Sequence, residues 1–272
     1  LLKIGTSIQV GEGDGMYRMH IHVPLDSRYS PIDHTMSLGT IQKVMMENLI
    51  AQMDTRNNNK NPKINLAQVK PGETAVVAVS PGTGLSRIFA SLGVAAIVQG
   101  GQTMNPSIED LQKAVDSVPA DTVFVLPNNG NITLAARQVA ELSEKRVIVI
   151  PTKNVAMGIA AVVAFQPYFT AEDNEQRMNE AAQRVRTGTV TYAVRDSEYQ
   201  DMHIKAGSII GLTNGEVTCS GDSTDAISME LLRGLVTEDD GLITVYYGED
   251  TQREDAENLA AKVAEEFCTC DV

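Results

Sequence analysis

The sequence predicts an α/β protein in which a parallel, helix-covered sheet subdomain precedes a second, mixed-sheet α+β subdomain, with a β-hairpin in front of both. Between residues 73 and 165, four short apolar segments alternate with four helical stretches, which is typical of a parallel sheet with helices on both faces. Between residues 188 and 219, strand-like segments follow one another without a helix, which favours antiparallel or mixed pairing.

The hairpin is predicted from residues 3–10 and 16–23, which alternate in polarity on either side of GEGDG at 11–15. Residues 33–53 are rich in apolar side chains, including several methionines that suit a core or an interface. The polar stretch that follows has no periodicity. We therefore predict a flexible linker over 55–70, after a first domain that ends at residue 54.

The parallel subdomain is predicted over residues 71–186 and the mixed-sheet subdomain over 187–272, the latter truncated at its end. The first has strands at 73–80, 95–99, 122–126 and 146–150, and helices at 83–92, 107–117, 132–143, 155–165 and 172–186. The second has strands at 188–195, 208–212, 216–219 and 242–247, and helices at 225–235 and 253–267.

Composition excludes several function classes. The 272 residues include 22 Lys and Arg against 35 Asp and Glu, a net charge of −13, so we expect no nucleic-acid partner. The longest apolar run, 157–165, is too short for a membrane span, which needs about 20 residues. The three cysteines, Cys219, Cys268 and Cys270, do not suggest a disulfide framework, and we predict a reducing, cytoplasmic location. The start without Met suggests a fragment.

The strand exits carry the candidate binding residues. In open parallel sheets, ligands bind outside the carboxyl ends of the strands, and four successive exits here are small and polar. They lack His, Cys and paired carboxylates, so they suit binding and not acid/base chemistry. The alternative is that they are caps and turns only. The candidates are Ser80, Thr83, Gly100, Gly101, Thr103, Asn105, Asn128, Asn129, Asn131, Thr152 and Lys153.

His20 and His22 are the second candidate site. Two residues apart on a strand, they point the same way and could share a metal ion or a phosphate, with His34 the nearby third histidine. The alternative is a pair of exposed strand histidines. The usual nucleotide-binding signatures, G-x-x-x-x-G-K-[ST] and G-x-G-x-x-G, are missing.

Several of these loops together resemble the carboxyl-terminal domain of the dihydroxyacetone-kinase-like proteins represented by the fatty acid kinase A proteins. The matching segments are GGQTMNPS at 100–107, LPNNGN at 126–131, IPTK at 150–153, GIAA at 158–161, AGSIIGL at 206–212 and LITVYYGED at 242–250. Upstream, YRMHIHV at 17–23 resembles the His-x-His strand that closes the family's central domain, and SLGT at 37–40 and MEN at 46–48 fit the segment after it.

The resemblance implies a DegV-like, two-part α/β fold for residues 71–272 and the end of a central domain for residues 1–54. Family proteins have an amino-terminal kinase domain that binds ATP and Mg²⁺. They phosphorylate a fatty acid held by a separate DegV-type binding protein, giving an acyl phosphate for phospholipid synthesis. His20 and His22 match histidines implicated in activity and in a metal site, with zinc as the candidate ion. Because the kinase domain and an upstream cysteine are missing here, we expect the chain alone to be inactive and its metal site incomplete.

The resulting functional prediction is a docking region for the fatty-acid-loaded DegV-type protein. Three alternatives stay open: a DegV-like domain that binds fatty acid itself, a phosphotransferase region for a small hydroxylated substrate, and a homodimerisation region at 36–53. True dihydroxyacetone kinases hold their substrate through a histidine of the related domain. No strand-exit loop here carries one, which argues against that chemistry.

Overall fold

The computed structural model describes residues 4–13, 16–24, 27–41, 44, 64–100, 105–199, 202–248 and 250–272. The chain divides into two compact units, Leu1–Val185 and Arg186–Val272. Within the described residues, no helix is both long and apolar enough to cross a membrane.

A four-stranded parallel sheet is the centre of the first unit. Its strands are β3 (Thr74–Ser80), β4 (Ala96–Gln99), β5 (Thr122–Leu126) and β6 (Arg146–Val149), in the order β4-β3-β5-β6. The connection after β3 leads to one side of the sheet and the connection after β5 to the other. The exits of β3 and β5 therefore form a topological switch point, where open α/β sheets bind ligands.

Five helices cover this sheet: α2 (Gly82–Ser91), α3 (Ile108–Ser117), α4 (Thr133–Leu142), α5 (Val155–Ala164) and α6 (Ala171–Arg184). On one face, α3 and α4 bury side chains such as Leu111 and Val139 against alternate strand residues. On the other face, α2, α5 and α6 bury Phe89, Ile159 and Met178. Since both faces are buried, the strands are continuously apolar, and the predicted fold class is confirmed.

The hairpin precedes the parallel sheet and its five helices, which together are called the parallel layer. It consists of β1 (Thr6–Gly13) and β2 (Met16–His22), which pair antiparallel with an irregularity between Thr6 and Gln9. It is followed by α1 (Ser30–Leu38). Strand β1 contacts α5 of the parallel layer. Of the predicted linker, residues 55–63 lie outside the described part. Residues 64–70 are tied to the layer, because the Ala67 N–H donates to the Val94 carbonyl and Val69 packs on the core.

The strands of the second unit are β7 (Gly188–Tyr192), β8 (Ser197–Tyr199), β9 (Met202–Ile204), β10 (Ile209–Thr213) and β11 (Glu216–Gly221), and its helices are α7 (Thr224–Leu235) and α8 (Arg253–Glu266). Three of these strands form an antiparallel sheet in the order β11-β10-β7, and β8 pairs with β9. Asn214 and Gly215 turn β10 into β11 with φ of 55° and 89°, as a two-residue hairpin requires. Helix α7 packs Ile227 and Leu231 onto this sheet.

The strand predicted at 242–247 is wrong. Leu242 forms an isolated parallel bridge with Asp271, and the described residues after it join no ladder. Instead, Ile243 is buried beside Met229 and Val263. Its apolar side chain therefore packs between the two helices and not on the face of a sheet. The β8–β9 hairpin is not predicted, because strands of three residues carry too little alternation to be recognised.

The negative charge is concentrated in the second unit. Residues 186–272 carry 18 Asp and Glu against 6 Lys and Arg, a net charge of −12. Residues 1–185 carry 17 against 16, a net charge of −1. The acidity of the chain therefore belongs to its carboxyl-terminal third and does not extend to the parallel sheet.

Candidate functional site

The exits of β3, β5 and β6 border one cleft with a volume of about 400 Å³. Because all strands of the sheet are parallel, their carboxyl ends lie at the same edge. The described residues that line the cleft are Val79, Pro81, Gly100, Pro127, Asn128, Asn129, Asn131, Ile132, Lys153, Asn154 and Val155. The structure thus brings together loops that lie up to 76 positions apart in the sequence, from Val79 to Val155.

Asn128 ties these three exits together. Its Nδ2 donates to the Val79 carbonyl at 2.8 Å, and its backbone N–H donates to Thr152 Oγ1 at 3.0 Å. The Thr152 hydroxyl donates in return to Asn128 Oδ1 at 2.8 Å. Asn128 has a φ of 54°, a left-handed conformation that asparagine tolerates better than most residues. Both side chains are buried and bonded within the fold, so they position the cleft walls.

Gly158 makes room for this arrangement. It lies in α5, and a Cβ atom added there would overlap Asn128 Oδ1. Only a residue without a side chain lets α5 approach the Asn128 amide so closely. Gly158 is not among the site residues predicted from the sequence. A glycine inside an otherwise apolar helical stretch was the available signal.

Ser80 is the last residue of β3, and its side chain is fully buried. Its hydroxyl has no hydrogen-bond partner among the residues that the structure describes. The last pair of the β3–β5 ladder is Ala78 with Leu126, two positions before Ser80 and Asn128. Buried hydroxyls usually have a partner, so Ser80 is an exception among the described residues.

The other candidate residues at this edge of the sheet differ in burial and in hydrogen bonding. Gly100 is buried and donates its N–H to the Ser80 carbonyl at 3.2 Å. Asn129 Oδ1 accepts the Asn131 N–H at 2.9 Å, which shapes the turn before α4. Thr83, Asn105, Asn131 and Lys153 are exposed, whereas Gly101 and Thr103 lie outside the described residues. Thr83 does not cap α2, whose N-cap position is Pro81 and which has no side-chain cap.

Ser107 and Asp110 fix the start of α3, two residues after Asn105. The Ser107 side chain accepts the Asp110 N–H, and Asp110 Oδ2 accepts both the Ser107 N–H at 3.1 Å and its hydroxyl at 2.7 Å. This reciprocal pair is a capping box. The hydrogen bonds from Ser107 hold the pKa of the Asp110 carboxyl below its ordinary value.

The capping box predicts a pH dependence of stability. Because the folded pKa of Asp110 is depressed, its contribution is present above the unfolded pKa and is lost as pH falls through the folded pKa. We expect Asp110→Asn to unfold at lower urea than the wild type at pH 7, and the difference to shrink steadily below about pH 4. Urea titrations across this range measure it. A difference that stays constant with pH would contradict the prediction.

The histidine pair is described only in part. His22 closes β2 and is half-buried, and this burial lowers the pKa of its imidazole, which favours the neutral form that a metal ligand needs. The side chain of His20 lies outside the described part of the structure. Among the described residues, no group of three His, Cys, Asp or Glu is placed to hold a metal ion.

A family model and several curated proteins match this chain over most of its length. The FakA-like family model, which describes the C-terminal region of fatty acid kinase A-like proteins, matches residues 75–272. Protein YloV of Bacillus subtilis is 36% identical over 268 residues, which is 98% of this chain and 48% of that protein. An uncharacterized protein of Staphylococcus haemolyticus is 32% identical over 275 residues, 99% of this chain and 49% of that protein. An uncharacterized protein of Staphylococcus aureus strain USA300 is 30% identical over 274 residues, which is 99% of this chain and 49% of that protein.

Proposed function

The chain belongs to the FakA-like C-terminal family of fatty acid kinases, and on this premise we propose that it docks a fatty-acid-loaded DegV-type binding protein. It spans about half the length of the curated relatives it matches, and we propose that it takes part in a kinase reaction. In a protein of the relatives' full length, an ATP-binding domain would transfer the γ-phosphoryl group to the fatty acid carboxylate, giving an acyl phosphate and ADP. Docking would bring the two reactants together.

The observation that carries this proposal is the cleft at the sheet edge. Its walls are held by internal hydrogen bonds of Asn128 and Thr152, while Asn131 and Lys153 are exposed at the exits of neighbouring strands. Loops held rigidly by a sheet commonly carry binding residues. Among the described residues, the lining includes amides and one lysine but no carboxylate, histidine or cysteine, which suits recognition of a group by hydrogen bonds and charge.

The charge distribution supports a partner protein with a basic face. A net charge of −12 over residues 186–272 favours a protein with a basic face, because complementary charges speed the encounter. Such steering weakens as salt screens the charges. We propose that His20 and His22 contribute to the kinase activity, as the resemblance implies. A homodimer through residues 36–53 and a cytoplasmic location remain predictions.

Calorimetric titration of this chain with a DegV-type protein from the same source tests the docking. We expect binding at micromolar affinity or better, and Lys153→Ala to weaken it about tenfold, equivalent to about 1.4 kcal/mol. Lys113→Ala is the matched control, since Lys113 is an exposed lysine of α3 that does not line the cleft. Asn128 is a poor choice for this test because its side chain is committed to the fold.

Two outcomes would contradict the proposal. One is no binding when both proteins are shown to be folded, with the DegV-type protein tested both loaded and stripped of fatty acid. The other is equal affinity for the wild type and Lys153→Ala, which would move docking away from the cleft. Co-purified lipid, detected by mass spectrometry, would then favour a domain that binds fatty acid itself.

A further inference from the structure

We propose that Cys268 and Cys270 form a reversible disulfide when the chain meets a peroxide, and that this bond opens a latch in the second unit. The latch consists of the contacts that hold residues 270–271 against residues 240–243. The inference goes beyond the proposed docking function and concerns residues that do not line the cleft. It follows from the spacing, the burial and the hydrogen bonds of the two thiols.

The two cysteines lie in the turn that follows α8. The N–H of Cys270 donates to the carbonyl of Phe267 at 2.9 Å, so residues 267–270 form a β-turn with Cys268 and Thr269 at its centre. Cα atoms two positions apart in such a turn are about 5–6 Å apart, and disulfides join Cα atoms separated by about 4.4–6.8 Å. The turn therefore brings both cysteines within disulfide range. A ring closed over one intervening residue is strained, which keeps the bond easy to reduce.

The two thiols differ in exposure, as an attacking thiol and a resolving thiol do. Cys268 is exposed, so a peroxide reaches its sulfur directly. Cys270 is 8% exposed and packs in an apolar cluster with Met229 and Val263. The third cysteine, Cys219, is buried in a separate cluster. Cys268 is therefore the sulfur that an oxidant in solution meets first, and Cys270 is its neighbour in the turn.

Oxidation proceeds in two balanced steps. In the first, the Cys268 thiol loses its proton, its sulfur takes one oxygen of hydrogen peroxide, and the other oxygen leaves as water, which gives a sulfenic acid. In the second, the Cys270 sulfur attacks the sulfenic sulfur, the S–S bond forms, and the hydroxyl leaves with the Cys270 proton as a second water. Two thiols and one hydrogen peroxide thus give one disulfide and two waters. A dithiol reductant reverses the reaction by thiol–disulfide exchange.

Cys270 holds the latch through its sulfur. Its thiol donates to the Asp240 carbonyl at 3.1 Å. Beside it, the Asp271 N–H donates to the Gly241 carbonyl at 2.9 Å, and the Asp271 carbonyl accepts the Ile243 N–H at 2.8 Å. A disulfide removes the proton that the Asp240 carbonyl accepts and draws the sulfur out of its apolar cluster. We therefore expect the two adjacent backbone hydrogen bonds to open more often in the oxidised chain.

Treatment of the folded chain with hydrogen peroxide, followed by mass spectrometry, tests the disulfide. We expect the tryptic peptide 263–272, which contains both cysteines, to lose about 2 Da and to regain this mass after reduction with dithiothreitol. Cys268→Ser and Cys270→Ser should each abolish this loss. Cys219→Ser is the matched control, since Cys219 lies in a separate cluster, and its peptide 263–272 should lose the same mass as that of the wild type.

Hydrogen exchange on the oxidised and the reduced wild type tests the latch without any substitution. We expect the amides of Ile243 and Asp271 to exchange at least about threefold faster after oxidation, because both donate in the latch. The amides of β10 and β11 should exchange at the same rate in both forms. Peroxide-treated Cys268→Ser should exchange as the reduced wild type does, since its Cys270 has no neighbouring thiol in the turn.

Three outcomes overturn the proposal. The first is a gain of oxygen on peptide 263–272 without loss of two hydrogens, which would mean that Cys270 does not resolve the oxidised Cys268. The second is a disulfide between two chains, visible on a non-reducing gel. The third is a disulfide within the peptide that leaves the exchange of Ile243 and Asp271 unchanged. None of these readouts involves a DegV-type protein or the cleft, so failure here is distinguishable from failure of docking.

Discussion

Replacing Gly158 by alanine is expected to lower the free energy of unfolding by about 3 kcal/mol. The new Cβ would overlap Oδ1 of Asn128 and would lie 2.6 Å from its Cγ and 2.8 Å from its Nδ2. The Asn128 side chain cannot turn away without breaking its bonds to the Val79 carbonyl and to Thr152. Either α5 shifts outward or the bonds between the three strand exits are lost. Urea unfolding followed by circular dichroism measures the loss.

A paired variant tests the stated cause. Asn128→Gly removes the amide and still accepts the left-handed backbone at this position. In that background, Gly158→Ala should cost little or even stabilise α5, since alanine is the better helix former by up to about 1 kcal/mol. Gly84→Ala in α2, with nothing within 4 Å of the added atom, is the matched control. If Gly158→Ala costs the same in both backgrounds, the contact with Asn128 is not the reason.

Gly211→Ala is expected to destabilise the second unit by about 2–3 kcal/mol. The added Cβ would meet Cys219 Sγ at 2.5 Å, Leu231 Cγ at 2.9 Å and Ile227 Cγ2 at 3.0 Å. Cys219 lies opposite Gly211 in the β10–β11 ladder, and the other two side chains belong to α7. The methyl group would therefore push α7 away from the sheet at Gly211.

Hydrogen exchange followed by mass spectrometry locates this effect. We expect faster exchange in β10, β11 and α7 of Gly211→Ala, with β3 and β5 of the first unit unchanged. Gly234→Ala in α7 is the control, because its added atom has nothing within 4 Å. Equal loss of protection in both units would contradict a local origin, and an unchanged α7 would contradict the steric argument.

Sequence patterns predicted the parallel layer well because its signals are local. The strand predicted at 122–126 has these same bounds in the structure, since four residues of high β-propensity and Leu126 lie between Asp121 and Pro127. The helix predicted at 155–165 differs from α5 by one residue at its end. Strand order, however, depends on contacts between distant segments, and the sequence pattern did not predict the order β4-β3-β5-β6.

The candidate site was also predicted in part from local sequence signals. The sequence placed Asn128, Thr152 and Lys153 at one edge, because parallel strands end together. It did not separate Asn128 and Thr152, which are bonded to the fold, from Lys153, which is exposed. That distinction depends on hydrogen bonds between residues 24 and 49 positions apart. Gly158 was missed as a site residue for a related reason, since its close neighbour Asn128 lies on a different element.

Composition and short-range periodicity were enough to predict the α/β class, the alternation of strands and helices and the acidic charge, and the loop motifs were enough to recognise the resemblance to fatty acid kinase A proteins. Three findings required the folded chain: residues 242–247 form no strand and Ile243 packs between helices, Ser80 is buried without a described partner, and three helix ends meet at one cleft with Lys153. Burial and hydrogen-bond partners are set by which distant segments pack together, and a linear pattern does not contain that information.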